Sequence, residues 1–140
     1  MGDADLISVS ADAVKKVQDY DIVLLGSSTW GLGDLQDDWE GLLDDLGSAD
    51  LSGKKVGFFG TGDQDGYPDT FVDAIGLLYE AVAGSGADFI GATDTDGYNF
   101  DESKAVKDGK FVGLVIDEDN QSDASDERID NWVSAVKAAM

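Results

Sequence analysis

Two glycine-rich loops carry the side chains with which this sequence could do chemistry. The first reads GSSTWGLG over residues 26–33, and the second reads GTGDQDGY over residues 60–67. Each loop combines small hydroxyl side chains and one large aromatic, Trp30 or Tyr67, with glycines that let a backbone approach a ligand closely. Two aromatic planes of this kind can hold a flat heterocycle between them. The alternative is that each aromatic only caps the end of a sheet.

The residue types that are absent exclude several kinds of chemistry. The 140 residues contain no cysteine and no histidine. Disulfides, thiolate catalysis, cysteine-bound metals and a Ser-His-Asp triad are therefore excluded, and no metal site is predicted. Any reaction must depend on carboxylates, backbone groups, aromatic side chains or a bound cofactor.

The charge is strongly acidic, because 30 Asp and Glu residues oppose 9 Lys and Arg residues, for a net charge of −21. Such a surface repels nucleic acids and anionic membranes. Three interpretations of the charge stay open: a solvated surface, steering toward basic partners, and adaptation to high salt. The sequence shows neither a signal peptide nor an apolar run that could span a bilayer, so we expect a cytoplasmic protein.

Alternating strands and helices must position the two loops. Each loop follows a continuous apolar run that ends in glycine, at residues 21–26 and 54–60, as is typical of strands buried on both faces. The alternation predicts one α/β domain over residues 1–140, with a parallel sheet whose ligands bind beyond the carboxyl ends of the strands. Further strands are predicted at residues 6–9, 88–91 and 110–116. Helices are predicted at residues 11–17 with Ser10 as the cap, at 34–46, at 69–83, and at 125–139 with Asp123 or Ser125 as the cap.

Long stretches of the sequence resemble the long-chain flavodoxins. These stretches are STWGLGDLQDDWEGLL, GKKVGFFGTGDQDGYPDTFVDAIG, TDTDGYNFDESKAVKDGKFVGLVIDEDNQSD and the closing helix, so the resemblance extends from about Ser8 onward. It implies a flavodoxin-like three-layer sandwich with a mostly parallel sheet. It also implies a low-potential one-electron carrier, rather than an enzyme, that uses FMN and exchanges electrons with a basic-surfaced reductase or oxidoreductase. The insert that marks the long-chain class would span about residues 94–110.

The resemblance also implies which residues bind the cofactor. Trp30 would stack on one face of the FMN ring and Tyr67 on the other. The peptide between Gly31 and Leu32, followed by Gly33, falls where the family flips a peptide as the flavin gains its first electron. The residues around the ring edge and the ribityl chain would be Ser28, Thr29, Thr61, Gly62 and Asp63. The carboxylates expected to lower the potential, or to serve solubility alone, are those of Asp34, Asp37, Asp38, Asp63, Asp65 and Asp69.

The sequence departs from the family at its start. A complete flavodoxin begins with a strand, a Thr/Ser/Gly phosphate loop and a helix, whereas the strand predicted at residues 6–9 aligns with the family's second strand. The first, central strand and the first helix are therefore expected to be missing. That loss would leave a gap of roughly 9–10 Å between the strands that start near Leu6 and Ile22. The sheet would close up, be completed by another chain or segment, or keep unpaired backbone groups, and FMN would lack its phosphate anchor.

Three functions follow as alternatives. The first is the FMN-dependent carrier, as a truncated flavodoxin, one half of a split protein or a natural short variant. The second is a flavin-free acidic module that binds basic redox partners. The third is a flavin-dependent reductase with a nicotinamide substrate, although no nicotinamide site is visible.

Overall fold

The structure is a computed structural model that describes residues 5–30, 34–35, 39 and 41–139, with the backbone alone for Ala11, Trp30 and Leu35. The strands are β1 (Ile22–Trp30), β2 (Asp34–Leu35), β3 (Lys55–Thr61), β4 (Asp88–Phe89), β5 (Thr93–Asp94), β6 (Val106–Lys107), β7 (Lys110–Phe111) and β8 (Leu114–Ile116). The helices are α1 (Ala11–Lys16), which a 3-10 turn (Val17–Asp19) follows, α2 (Leu43–Gly47), α3 (Asp73–Val82) and α4 (Glu118–Ala139). No helix in these described ranges is both long and apolar enough to cross a membrane.

Strand β3 is the centre of the main sheet. Its first edge pairs in parallel with β1, from Ile22 opposite Lys55 to Ser28 opposite Thr61. Its second edge pairs in parallel with β4 near its start and with β8 near its end. The short β2 pairs antiparallel with the end of β1. This arrangement confirms the predicted α/β class with a mostly parallel sheet.

Apolar residues cover both faces of this sheet, which gives the three layers expected from the sequence. On one face, side chains of α1, α2 and α3, such as Val14, Leu46 and Ile75, pack with Phe58 of β3. On the other face, Trp132 and Val136 of α4 pack with residues of β4 and β8. Alternate residues of each strand point to opposite faces, so continuous apolar strands need cover on both.

A small antiparallel sheet, in the order β5-β7-β6, lies between β4 and β8 along the chain. Its segment adds aromatic rings to the core. The ring of the buried Phe71 lies 5.4 Å from that of Phe100 and 6.0 Å from that of Phe111, measured between centroids. The Tyr98 hydroxyl donates to the backbone oxygen of Val115 at 2.6 Å. The segment is therefore packed onto the main sheet and is not a separate appendage.

The strand predicted at residues 6–9 is wrong, because residues 5–9 form no strand. The Leu6 side chain is 98% exposed. A cavity of about 710 Å³ separates this segment from β1, and residues of both line it. The physical reason is that a strand needs a neighbour to accept its backbone hydrogen bonds, and in the described part of the chain nothing stands between residues 5–9 and β1.

Three other predicted boundaries were also wrong. The start of the helix predicted at 34–46 is wrong, because Asp34 and Leu35 instead pair with Trp30 and Thr29; Trp39 is helical, α2 covers Leu43–Gly47, and residues 36–38 and 40 lie outside the described residues. The strand predicted at 110–116 is two strands, separated by a bend that sends β7 into the small sheet and β8 into the main one. The last helix, Glu118–Ala139, has a kink at Gln121, whose φ of −136° and ψ of 42° are not helical, so a short helical turn precedes the stretch predicted from about Ser125. By contrast, the cap on α1 is confirmed, since Ser10 Oγ accepts from the Ala13 amide at 3.1 Å.

Candidate functional site

The carboxyl ends of three parallel strands meet at one edge of the main sheet. Ser28 of β1 lies opposite Thr61 of β3, and Thr61 lies opposite Ile116 of β8. Open parallel sheets bind ligands in the crevice beyond the carboxyl ends of their strands. The structure therefore brings together Ser28 and Thr61, one from each of the two loops singled out in the sequence.

The first loop is described only at its start. Ser28 and Thr29 are half-buried at the end of β1, and Thr29 Oγ1 accepts a hydrogen bond of 3.4 Å from the Ala74 amide at the start of α3. Trp30 is the last residue of β1, opposite Asp34, and its side chain is not among those described. Gly31, Leu32 and Gly33 lie outside the described residues, so their predicted contacts stay predictions.

The second loop turns back on itself directly after β3. The Gly62 amide donates to the Ile116 carbonyl at 3.1 Å, and the Tyr67 amide donates to the Asp63 carbonyl at 2.9 Å. Asp63 Oδ1 accepts from the Gly66 amide at 2.8 Å. The Tyr67 side chain is 42% exposed. An exposed aromatic ring can stack against a flat ligand.

Gly62 fits its place because it has no side chain. A Cβ at this position would lie 2.9 Å from Val72 Cγ1 and 3.2 Å from the Val72 amide nitrogen. Val72 itself has a φ of +48°, in the left-handed region that a β-branched residue rarely adopts. Tight backbone packing of this kind is common beside functional sites, where the surrounding structure maintains it.

Asp117 is a buried residue of this edge that the sequence analysis did not single out. It follows β8, is fully buried, and its Oδ2 accepts from both the backbone amide (3.0 Å) and the Nε2 (2.8 Å) of Gln64. Its Oδ1 accepts from the Asn120 amide at 3.1 Å, which caps α4. Gln64 Oε1 in turn accepts from the Asn99 amide. Asp117 thus ties the second loop to α4, and its position at the end of an apolar strand was the signal available in the sequence.

The electrostatic environment of this edge is anionic. Oxygens of Asp63, Asp117 and Asp119 lie within 4.8 Å of one another. The Gly66 amide and the Asn120 side chain donate to Asp63, and these hydrogen bonds lower the pKa of its carboxyl below the usual value. Asn120 Nδ2 contacts both Asp63 Oδ1 (2.7 Å) and Asp117 Oδ2 (2.9 Å). This amide donates to two of the three carboxylates, and we assign no metal here.

The acidic residues expected around the cofactor are distributed over this edge and beyond it. Asp34, Asp65 and Asp69 are exposed, and Asp63 is half-buried. Asp37 and Asp38 lie outside the described residues. Exposed carboxylates interact weakly and are screened by salt, so each one alone has a small effect.

Comparison with known proteins identifies the family. The model of the family described as flavodoxin matches residues 2–132. The chain is 50% identical over 133 residues to a flavodoxin of Nostoc sp., which covers 95% of the chain and 78% of that relative. It is 47% identical to a flavodoxin of Helicobacter pylori, covering 99% of the chain and 84% of the relative. The crystal structure of a Fusobacterium nucleatum flavodoxin bound to flavin mononucleotide superposes with a TM-score of 0.88 at 32% identity, over 92% of this chain and 77% of that one. The chain therefore belongs to the flavodoxin family.

Proposed function

We propose that this chain is a low-potential one-electron carrier that uses bound FMN, rather than an enzyme. The observation that carries the proposal is the meeting of the two glycine-rich loops at one sheet edge, where Ser28 lies opposite Thr61 and the Tyr67 ring is exposed. Family membership supports the same function. When bound, FMN supplies the one-electron chemistry, and the protein supplies binding, orientation and electrostatics.

The described residues fit the ring part of FMN. The exposed Tyr67 ring could stack on the FMN ring, and Thr61 and Ser28 carry hydroxyl groups at the paired ends of β3 and β1. Gly62 packs close to Val72 and has no side chain, so none projects from this position at the start of the loop. The proposal also includes the FMN contacts that the sequence analysis predicts for six further residues: Thr29, Trp30, Gly31, Leu32, Gly33 and Asp63.

The phosphate part of FMN has no comparable support in the described residues. Lys54 and Lys55 lie at the amino end of β3, away from the proposed site, and Lys54 Nζ donates to the Gln18 and Tyr20 carbonyls. The dense carboxylates at the carboxyl edge disfavour a phosphate dianion. We propose that the phosphate loop lies in a strand-loop-helix unit outside these 140 residues, supplied by a complementing chain or segment.

Two structural features support the long-chain type. Strands β4 and β8 pair in parallel with successive parts of the same edge of β3, and residues 90–113 between them include the small antiparallel sheet. This is the arrangement of one edge strand divided by an insert. We propose that residues 1–140 form one domain of this type, with a cytoplasmic location, as the sequence predicted.

A flavin titration tests the function. FMN fluorescence should be quenched saturably, and Tyr67→Ala should weaken binding by roughly 2- to 13-fold from the loss of stacking alone. Tyr67→Phe keeps the ring and should bind FMN nearly as the wild type does. No FMN binding, even with a peptide for the missing unit present, would contradict the carrier.

The flavin-free acidic module is the second candidate, and the net charge of −21 favours it. It shares with the carrier the prediction of basic-surfaced reductase or oxidoreductase partners, whose association should weaken with salt. It differs from the carrier in predicting that the purified protein is colourless and does not bind FMN. A flavin-dependent reductase would additionally oxidise a nicotinamide in steady state.

A further inference from the structure

Helix α4 carries a group of buried polar atoms that have no hydrogen-bond partner among the described residues. Three of the four side-chain atoms in this condition belong to α4: Gln121 Oε1, Ser125 Oγ and Arg128 Nη1. The Ser125 side chain is almost wholly enclosed, since the residue is only 4% exposed. We call these three side chains the α4 polar cluster. Folded proteins satisfy nearly all buried polar atoms with protein groups or ordered water, so the cluster indicates a ligand.

The three side chains lie on the side of α4 that faces Gly97, in the segment between β5 and β6. Gln121 Nε2 donates to the Gly97 carbonyl at 2.7 Å, and Arg128 Nη2 donates to the same oxygen at 3.4 Å. Gln121 Oε1 and Arg128 Nη1 are each bonded to the same carbon atom as the nitrogen that makes this contact. Ser125 lies about one turn after Gln121 and one turn before Arg128, on the face that these two side chains share. The three unpartnered atoms are therefore neighbours beside the Gly97 carbonyl.

The backbone of α4 gives a second, independent observation at the same place. The helix is kinked at Gln121, where φ is −136° and ψ is 42°. Proline and glycine are common causes of a kink, but neither occurs in residues 118–139. Insertion of a side chain or a water molecule beside the helical hydrogen bonds is another common cause. The kink therefore agrees with a small ligand bound next to Gln121.

The groups around the cluster disfavour an ion as this ligand. Arg128 is the only arginine of the sequence; its guanidinium stacks over the Tyr98 ring at 4.0 Å and makes no ion pair with a described carboxylate. This positive charge repels a cation. An anion would accept hydrogen bonds from Arg128 and Ser125, but it would also face the oxygens of Gln121 and Gly97 in a chain whose net charge is −21. The ligand should therefore be neutral and should both donate and accept hydrogen bonds.

The ligand must also be small. The three atoms are buried, so a side chain of another protein cannot reach them from the surface. Their residues line neither the large cavity beside β1 nor the cleft at the start of α3. A water molecule meets both requirements, because an internal water typically makes about three hydrogen bonds. The cluster offers three partners of matching kinds: an acceptor on Gln121, a donor on Arg128 and a hydroxyl on Ser125 that can act as either.

We propose that the α4 polar cluster binds one internal water molecule. The water donates to Gln121 Oε1, accepts from Arg128 Nη1 and makes its third hydrogen bond with Ser125 Oγ. It thereby joins α4 to the segment at Gly97 and holds the Arg128 guanidinium against the Tyr98 ring. The proposal does not depend on the binding of FMN.

A high-resolution crystal structure of the full chain tests the site directly. We expect one electron-density peak at about 2.7–3.2 Å from each of the three atoms. Crystals soaked in bromide distinguish water from an anion, because bromide scatters anomalously, and we expect no anomalous peak at this site. A bromide peak, no density at all, or a direct hydrogen bond between Arg128 Nη1 and Gln121 Oε1 would each overturn the proposal.

Two serines of α4 provide matched variants for a test in solution, because Ser125 is buried and Ser122 is exposed. Oxygen-17 relaxation dispersion counts the water molecules that stay bound to a protein for long times. Ser125→Val puts methyl groups in place of the hydroxyl and should reduce this count by about one water. Ser122→Val makes the same change at the surface and should leave the count as in the wild type.

Ser125→Ala is the milder variant and leaves room for the water. It removes one of three hydrogen bonds, so the residence time of the water should fall by about 2- to 13-fold. Equal counts in the wild type and Ser125→Val, or the same decrease in both valine variants, would contradict the assignment. If Ser125→Val does not fold, Ser125→Ala decides the question, because a residence time equal to that of the wild type would show that Ser125 does not bind the water.

Discussion

Replacing Asp117 by alanine should destabilise the protein severely, because the buried carboxylate accepts from Gln64 groups that have no other partner among the described residues. Gln64 is only 2% exposed, and both its amide and its Nε2 donate to Asp117 Oδ2. Leaving a buried donor unsatisfied costs about 1–3 kcal/mol, so two donors cost roughly 2–6 kcal/mol. Loss of the cap on α4, where the Asn120 amide donates to Oδ1, adds about 1 kcal/mol. Removal of the charge near Asp63 offsets part of this cost. We expect a net loss of about 3–6 kcal/mol, a large share of the roughly 5–15 kcal/mol that stabilises a typical domain.

Urea unfolding followed by circular dichroism measures this loss. Asp126→Ala is the control, since it removes an exposed aspartate from the same helix and should change the unfolding free energy by less than about 0.5 kcal/mol. Asp117→Asn keeps the shape and one acceptor oxygen while it removes the charge, and it should cost about half as much as Asp117→Ala. A loss below about 1 kcal/mol for Asp117→Ala, or one equal to that of Asp126→Ala, would show that the network does not hold the second loop.

Two further substitutions test burial and close packing. Burial raises the pKa of Asp73 above its usual 3.8, against the opposing hydrogen bond from the Lys104 amide. The folded chain therefore binds this proton more tightly than the unfolded chain, and the unfolding free energy falls as pH rises from 3.8 through the folded-state pKa. Asp73→Asn keeps the acceptor oxygen but does not titrate, so its unfolding free energy should rise relative to that of the wild type over this pH interval. Urea titrations at successive pH values measure both free energies, and a constant difference between them would contradict the prediction. Gly60→Ala should cost about 1–3 kcal/mol, because the new Cβ would lie 2.5 Å from Ile75 Cγ2 and 2.7 Å from the Ser27 carbonyl oxygen. Gly41→Ala, where nothing lies within 4 Å, is the matched control, and equal melting temperatures for the two variants would refute the steric explanation.

The strands of the main sheet were the most predictable part of the fold. The continuous apolar runs at 21–26 and 54–60 require cover on both faces, and the structure places them side by side as β1 and β3. The extension of β1 to Trp30 was not predicted, because pairing with β2 involves residues whose sequence reads as helix. The strand at 6–9 failed for the opposite reason: its residues favour a strand, but a strand also depends on a neighbour that local sequence does not reveal.

The geometry of the candidate site was predictable where it follows from strand order and not where it depends on distant contacts. Ser28 and Thr61 come together because parallel strands end at one edge. Asp117, Gln64 and Asn99 are brought together from three separate segments, and nothing local to any of them indicates the hydrogen bonds between them. The boundary of α4 has the same origin, since its cap is also Asp117.

The aromatic cluster formed by the segment between β4 and β8 has a consequence for any attempt to shorten the chain. Tyr98, Phe100 and Phe111 surround the ring of Phe71, which is 1% exposed and leads into α3. Excising that segment would expose a ring of roughly 150–250 Å² to water at the point where the second loop joins α3. A minimal version of this protein would have to supply new apolar surface for Phe71, or replace Phe71 as well, before its proposed flavin pocket could be compared with that of a shorter homologue.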